Sequence, residues 1–576
     1  MIESSSDFPV EWENPDDANS FWILDLVHCP APISRLDYDL RMHPFIVANN
    51  RSNGRFGLPV RTTPTLINGF IYNKVINDPV DPEAVPAILK ACDESVRAVY
   101  GDLKAHWEGT WLPKVRAQME AFAAFELGGA SLVELRCHLV MLRDRVDALW
   151  ELHNDLLLPS LLAMHDFEET HRDLFPEASQ LDVFELLGGL PNKTTEANLK
   201  LWEIGREAAK DPALRELLVG TKVEEGLHGA LMAIPQGRAL WAEIEEYLAV
   251  YGQRSDDLYI DRPTWIDDPT PVLRGLREAA LQPDRDLEGE LRALTARREA
   301  ELTKVRAALA SFPGAVVEEY EKLLRAARMS TVLTEDHHFW IDCKITHHLR
   351  RAAIELGRRL EERGWLDGVD DVFHLELGEI SALDEESALA PLLRERVAER
   401  KAELERFSGV TPPMILGVPR AFLPMDCAVM RVSMKFSGNI FQPPGEPGGD
   451  LVGMPGSSGK VRGPVRLIRT LEETSRLQPG DIMVTAFTLP SWTPFFASIA
   501  GVVTNIGGVL CHAAVVAREY GLPAVVGTVR GTEVLMEGQW IEVDGDAGVV
   551  RVVSEVAAAK GPQAHGSHSS GLSDPT

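Results

Sequence analysis

The stretch Thr504-Asn-Ile-Gly-Gly-Val-Leu-Cys-His-Ala-Ala-Val-Val-Ala-Arg-Glu-Tyr-Gly-Leu-Pro-Ala-Val-Val-Gly527 decides how the chain is read. It spells a strand end, a glycine pair, a histidine opening a helix, and a second strand after Gly521 and Pro523. Glycines let backbone N–H groups come close to a bound group. A helix N-terminus presents unpaired N–H donors and the positive end of a dipole, which stabilise an anion. A histidine placed there is suited to act as a nucleophile and to hold a phosphoryl group. His512 is therefore the first catalytic candidate. Thr504, Gly507, Gly508 and Cys511 are expected to support the phosphate site around it. The plainer alternative for His512 is a histidine satisfied at a helix cap.

Working outward, the neighbouring sequence has the texture of a small α/β domain over 455–555. Lys460 to Arg469 alternates, Asp481 to Thr488 and Gly501 to Thr504 read as strands, and 540–552 reads as a hairpin around a Gly-rich turn. Before it, 441–454 is rich in Pro and Gly and reads as a linker. Residues 556–576 are small and polar, and a disordered tail is expected. Residues 1–440 form the remaining, mainly helical body. Its first 85 or so residues promise irregular structure with a few strands. In Leu135, Leu139, Leu142, Val146, Leu149 and His153 the spacing of four and three marks one helix face, with Pro159 near that helix's end. Leu287 to Leu309 is a second long helix. The expected fold class is multidomain α and α/β, a helical acceptor-binding body followed by a small swivelling domain.

The string around His512 resembles the phosphohistidine signature of the PEP-utilising enzymes, and the resemblance implies that Arg518, which matches the pattern, also supports the phosphate site. Gly453 to Val465, Leu489 to Phe496 and Val543 to Val550 resemble the opening, middle loop and closing hairpin of the same domain. Cys511 stands where that pattern usually has Ser, and a thiol is the weaker hydrogen-bond partner. The order of parts resembles rifampin phosphotransferase without its ATP-grasp domain, and the His-containing subunit of phenylphosphate synthase and related two-subunit dikinases. The resemblance implies that ATP and Mg2+ are used on a separate ATP-grasp subunit, with no cofactor held stably by this chain. It also implies transfer from phospho-His512 to a small, phenolic hydroxyl acceptor, yielding phosphorylated acceptor, AMP and phosphate. Another acceptor, such as an antibiotic hydroxyl or pyruvate, and a relay of phosphate to a partner protein are the alternatives.

Three body segments, Phe21 to Pro30, Glu335 to Cys343 and Gly364 to Leu375, resemble parts of the acceptor-binding domain of these enzymes. In the second, His338 and Asp342 stand four apart on a helix, within reach of a hydrogen bond. A carboxylate behind an imidazole fixes its tautomer and raises its basicity, as a general base requires. His337, His338 and Asp342 are thus catalytic candidates, with a surface or capping pair as the plain alternative. His153 and Trp340 are candidates to line the acceptor pocket, against the plainer reading of both as core residues. His347 and His348 lack a metal-ligand spacing, and no metal site is expected.

Composition narrows the partners. With 58 Lys plus Arg against 87 Asp plus Glu, the net charge of -29 disfavours nucleic acid and anionic membranes. Residues 455–555 carry 8 Lys or Arg and 10 Asp or Glu, so the acidity belongs to the body. Six scattered cysteines without a CxxC pair argue against a disulfide framework, and the acidic start is unlike a secretory signal. A cytoplasmic protein is the expectation.

Overall fold

The structure is a computed structural model that describes residues 8–553, apart from 13, 78–80, 82, 222, 224–225, 256–257, 385–389, 419–426, 439–449, 471 and 490–491. Most of the expected linker and the whole expected tail lie outside the described residues.

Helices dominate up to Ser437, and among the described residues all eight later strands form a single sheet. The body's own sheet is small and antiparallel. Its strands are β1 (Phe21–Leu24), β2 (Val60–Ile67), β3 (Phe70–Asn77) and β4 (Ile415–Gly417), in the order β2-β3-β1-β4. Between β1 and β2 the chain forms the helix His43–Phe56, in a region where sequence texture pointed only to strands and irregular structure. The body's axis is one helix of 43 residues, Leu132–Leu174. Ser131 opens it with a capping box to Glu134, satisfying amides that a helix start leaves unpaired. Leu135, Leu139, Leu142, Val146 and Leu149 are all buried along it, as their spacing requires. The helix does not end near Pro159 but runs through it. A proline removes one i to i−4 bond, and dense packing on the Gly314–His337 helix holds the segment regardless.

The C-terminal sheet contains β5 (Leu451–Val452), β6 (Met454–Ser457), β7 (Lys460–Leu467), β8 (Ile482–Thr485), β9 (Gly501–Thr504), β10 (Ala524–Val526), β11 (Trp540–Asp544) and β12 (Val549–Val552). Their order is β5-β12-β11-β7-β8-β9-β10-β6. Neighbours from β7 to β10 run parallel, and the flanking pairs are antiparallel. Strands β8, β9 and β10 are buried throughout, which explains why they read as unbroken apolar runs rather than alternating ones. Among the described residues no helix is long and apolar enough to cross a membrane.

Candidate active site

His512 sits just beyond the C-terminal end of β9, where open parallel sheets place their ligand crevices. The helix His512–Tyr520 buries Ala513, Ala514, Val516 and Ala517 and closes on Gly521 at φ +64. Its N-cap, Cys511, makes no side-chain cap hydrogen bond.

The residues around His512 brace the loop. The Gly507 amide donates to Ser437 O (3.3 Å), that of Gly508 to Phe436 O (2.9 Å) and that of Leu510 to Lys435 O (3.1 Å). The glycine pair thus caps the C-terminal end of the helix Ala428–Ser437. A methyl at Gly508 would overlap the Lys435 carbonyl, and Gly507 adopts φ +107, so both positions need glycine for packing. The receiving helix is itself fixed: Asp93 accepts from the amides of Ala428 and Val429, and Lys435 pairs with Glu168 at 2.9 Å. Thr504 is fully buried, with its hydroxyl donating to Ile506 O. Arg518 donates to Gly456 O and Val509 O and lies over the Phe184 ring, and burial lowers it to about 10. Neither side chain reaches the His512 ring.

The ring faces the body across a cavity of about 190 Å³. Phe45, Trp150, Leu157, Tyr259, Phe436 and Leu489 supply apolar wall, while His153, His337, His338, Asp342, Glu335 and His512 supply the polar groups. An apolar pocket with a few convergent polar groups is the usual make-up of a small-molecule site. The only Lys or Arg among the lining residues is Arg41, whose guanidinium is held by Asp37 at 2.7 and 2.6 Å. Such a lining suits a compact acceptor and does not suit a nucleotide triphosphate.

The structure brings His337, His338 and Asp342 together with His153. His153 Nδ1 lies 2.8 Å from Asp342 Oδ1, and His338 Nδ1 lies 3.3 Å from Asp342 Oδ2. The His337 ring N–H at Nδ1 donates to Leu333 O at 2.8 Å, which turns Nε2 toward Asp342 Oδ2 at 3.9 Å. The convergence depends on a π-helical turn over His338–Asp342. In an α-helix, positions five apart point about 140° away from each other. The π turn closes i to i+5 and puts His337 and Asp342 on one side.

The electrostatics follow from burial and from sharing one carboxylate. Burial works to raise Asp342, but His153, His338 and His337 outweigh it and hold the group far below the usual carboxylate range. Burial opposes charge on His338, yet Cys343 and Asp342 raise it to about 10, so it is an imidazolium at neutral pH. His337 is pushed down to about 4, chiefly by burial, and is neutral. The cluster therefore offers a fixed anion, a fixed cation and a neutral imidazole.

Sequence reasoning missed two residues beside the His512 ring. Glu335 Oε1 lies 3.5 Å from His512 Nδ1, and Thr194 donates to Glu335 Oε2 at 2.8 Å. Burial would raise Glu335, but His512 and Thr194 pull it below its ordinary value. Thr493 Oγ1 lies 3.3 Å from His512 Nε2. A signal for Glu335 existed: it precedes His338 by three and Asp342 by seven, a helical face. Trp340 falls on the opposite side of the π turn. It packs against Phe339 and beneath Arg116 (4.6 Å from the ring centroid), and it is absent from the cavity lining.

His512 thus opens a helix after a parallel strand and faces an apolar-walled cavity in a helical body. Residues 477–548 match the PEP-utilising enzyme mobile domain, and residues 156–335 match the rifampicin phosphotransferase fourth domain. The chain thus carries a domain found in the PEP-utilising enzymes and is similar to the rifampicin phosphotransferases. It is 40% identical over 562 residues to chondramide synthase cmdD of Chondromyces crocatus, covering 96% of this chain and 14% of that protein. It is 26% identical over 545 residues to the uncharacterized phosphotransferase YvkC of Bacillus subtilis, covering 93% of this chain and 62% of that one. Against rifampicin phosphotransferase of Streptomyces sviceus the identity is 30% over 372 residues, 63% of this chain and 40% of the relative. The chain thus spans less than two thirds of each of these relatives.

Proposed function

We propose that this protein is a phosphotransferase that carries a phosphoryl group on His512 and passes it to the hydroxyl of a small acceptor in the adjoining cavity. The carrying observation is that His512 and the Asp342 cluster line one apolar-walled cavity. In the transfer the acceptor oxygen attacks phosphorus, a P–O bond forms, and the P–N bond to His512 breaks with its electron pair returning to the imidazole. Glu335 beside Nδ1 favours the tautomer with its proton there, which leaves Nε2 as the phosphorylated nitrogen. The hydroxyl proton leaves by way of the Asp342 cluster, and the His338 imidazolium balances the charge of the arriving group. Phosphoryl transfer is dominated by such positioning and charge compensation.

The acceptor is proposed to be phenolic, because Phe45, Trp150, Tyr259 and Phe436 suit a flat ring with its hydroxyl directed at the polar groups. Phosphorylation of His512 is assigned to an ATP-grasp subunit using ATP and Mg2+, with AMP and phosphate as co-products. The relatives named rifampicin phosphotransferase favour a second reading, in which an antibiotic hydroxyl is the acceptor. A solid body facing His512 would have favoured a relay to a protein partner, and the cavity speaks for a small acceptor. The test is AMP release by the chain with an ATP-grasp partner, ATP and a panel of phenols and antibiotics. Release dependent on one acceptor and lost in His512→Ala supports the proposal. Release indifferent to every acceptor overturns it.

A further inference from the structure

His153, His337 and Asp342 are buried, and one ligand-type atom from each lies within 4.8 Å of the others. They come from two segments, the long helix Leu132–Leu174 and the junction of Gly314–His337 with its π turn. We propose that this trio binds a first-row divalent cation, of the Zn2+ or Mn2+ class, whose open positions face the cavity and take the acceptor oxygen. The inference rests on the phosphotransferase reading and deepens it.

The donor set carries the assignment. Two imidazoles and one carboxylate suit first-row transition cations better than Mg2+ or Ca2+, which favour all-oxygen shells. His337 already has the outer arrangement of a ligand histidine. Its Nδ1–H is anchored on a backbone carbonyl, and the bare Nε2 points at Asp342. Asp342 offers Oδ1 2.8 Å from His153 Nδ1 and Oδ2 3.9 Å from His337 Nε2. Around an ion with bonds of about 2.1 Å, adjacent ligand atoms sit about 3 Å apart, so small side-chain rotations close the site. Three protein ligands leave room for an exogenous oxygen, as in catalytic rather than structural zinc sites.

Charge supplies a second, independent reason. A phosphoryl group entering this cavity meets two carboxylates, Glu335 and Asp342, against one imidazolium, His338, and an arginine already committed to Asp37. Transfer sites elsewhere neutralise the phosphoryl oxygens with cations. A divalent ion on Asp342 would reverse the sign of the local field. With Asp342 and His337 taken up as ligands, the acceptor hydroxyl would bind the ion through oxygen, release its proton to solvent instead of to the cluster, and attack phosphorus as the bound oxyanion while the P–N bond breaks.

The test begins with the full chain freed of metal by chelator dialysis and titrated with Co2+, read by visible d–d absorption. One equivalent of Co2+ should bind and be displaced by Zn2+. Asp342→Asn and His337→Ala should lose that band with an unchanged far-UV circular dichroism spectrum, while His512→Ala should keep it. X-ray absorption on the Zn2+-loaded wild-type chain needs no variant and should show N/O ligation with two imidazoles. Absence of a stoichiometric band, retention of the band in both variants, or a zinc shell without imidazole overturns the site. If metal binds as described but no acceptor takes up phosphate, the functional reading fails and the site stands. If the chelated chain transfers phosphate at the full rate, the site's role fails and the functional reading stands.

Discussion

Replacing Glu335 with Gln probes the contact between the carrier histidine and the body. The side chain is buried, Oε2 is held by Thr194, and Oε1 lies 3.5 Å from His512 Nδ1. Glutamine keeps the shape and an acceptor for the Thr194 hydroxyl but removes the charge that selects the Nδ1–H tautomer. A hydrogen bond to a charged group contributes about 1.5–3 kcal/mol. Glu335 and His512 Nδ1 stand in ion-pair range without a formed hydrogen bond; a bond that tightens only during transfer belongs at the lower end, and about 1.5–2 kcal/mol corresponds to a roughly ten- to thirty-fold slower transfer. The assay is single-turnover: phosphorylate the chain on histidine with phosphoramidate, add acceptor, and follow loss of the P–N signal by 31P NMR. Glu335→Asp, which shortens the arm but keeps the charge, should fall between wild type and Glu335→Gln. A Glu335→Gln chain transferring at the wild-type rate would refute the assignment of tautomer control to this carboxylate.

Three further outcomes follow from the same geometry. Gly508→Ala places a methyl against the Lys435 carbonyl and should cost about 1–3 kcal/mol, seen as a lower urea midpoint and faster proteolysis of the 505–511 loop. Cys511→Ser restores the preferred N-cap residue and should raise the thermal midpoint through about 1 kcal/mol of added stability. Glu519 is raised to about 8 by burial and by Glu335, so it is protonated in the docked state at neutral pH. A carboxyl whose pKa is raised by packing holds its proton more tightly when packed, so packing weakens as pH climbs from the ordinary carboxylate range to about 8 and levels off beyond it. Each unit of pH inside that window costs at most about 1.4 kcal/mol. Hydrogen-exchange protection of the Gly508 and Leu510 amides should therefore fall between pH 5 and 8 and then level off, and Glu519→Gln should remove that dependence.

Much of this architecture is legible in sequence because local pattern and tertiary role agree. The helix His512–Tyr520, the strand Gly501–Thr504 and the hairpin of β11 and β12 lie where capping, apolar runs and glycine turns place them. The buried face of the long helix likewise follows from its spacing. What is illegible depends on partners distant in sequence. The glycine pair finds acceptors for its amides only when the carbonyl end of Ala428–Ser437 arrives. Pro159 looks like a terminus until packing carries the helix through it. The meeting of His337 with Asp342 requires a π turn, which no 3.6-residue pattern announces, and their meeting with His153 spans 189 residues. Trp340 shows the converse: proximity in sequence to three cavity residues does not bring it to the cavity, because the same turn directs it away.

The central claim is that phosphate moves from His512 to a small hydroxyl acceptor across the cavity. The most direct measurement is 31P NMR on the phosphoramidate-treated full chain, mixed in turn with each member of a phenol and antibiotic panel. One acceptor should convert the P–N resonance into a phosphomonoester resonance, and the His512→Ala chain should yield neither signal. A P–N resonance that decays only to inorganic phosphate with every acceptor, or a monoester formed equally by His512→Ala, would contradict it.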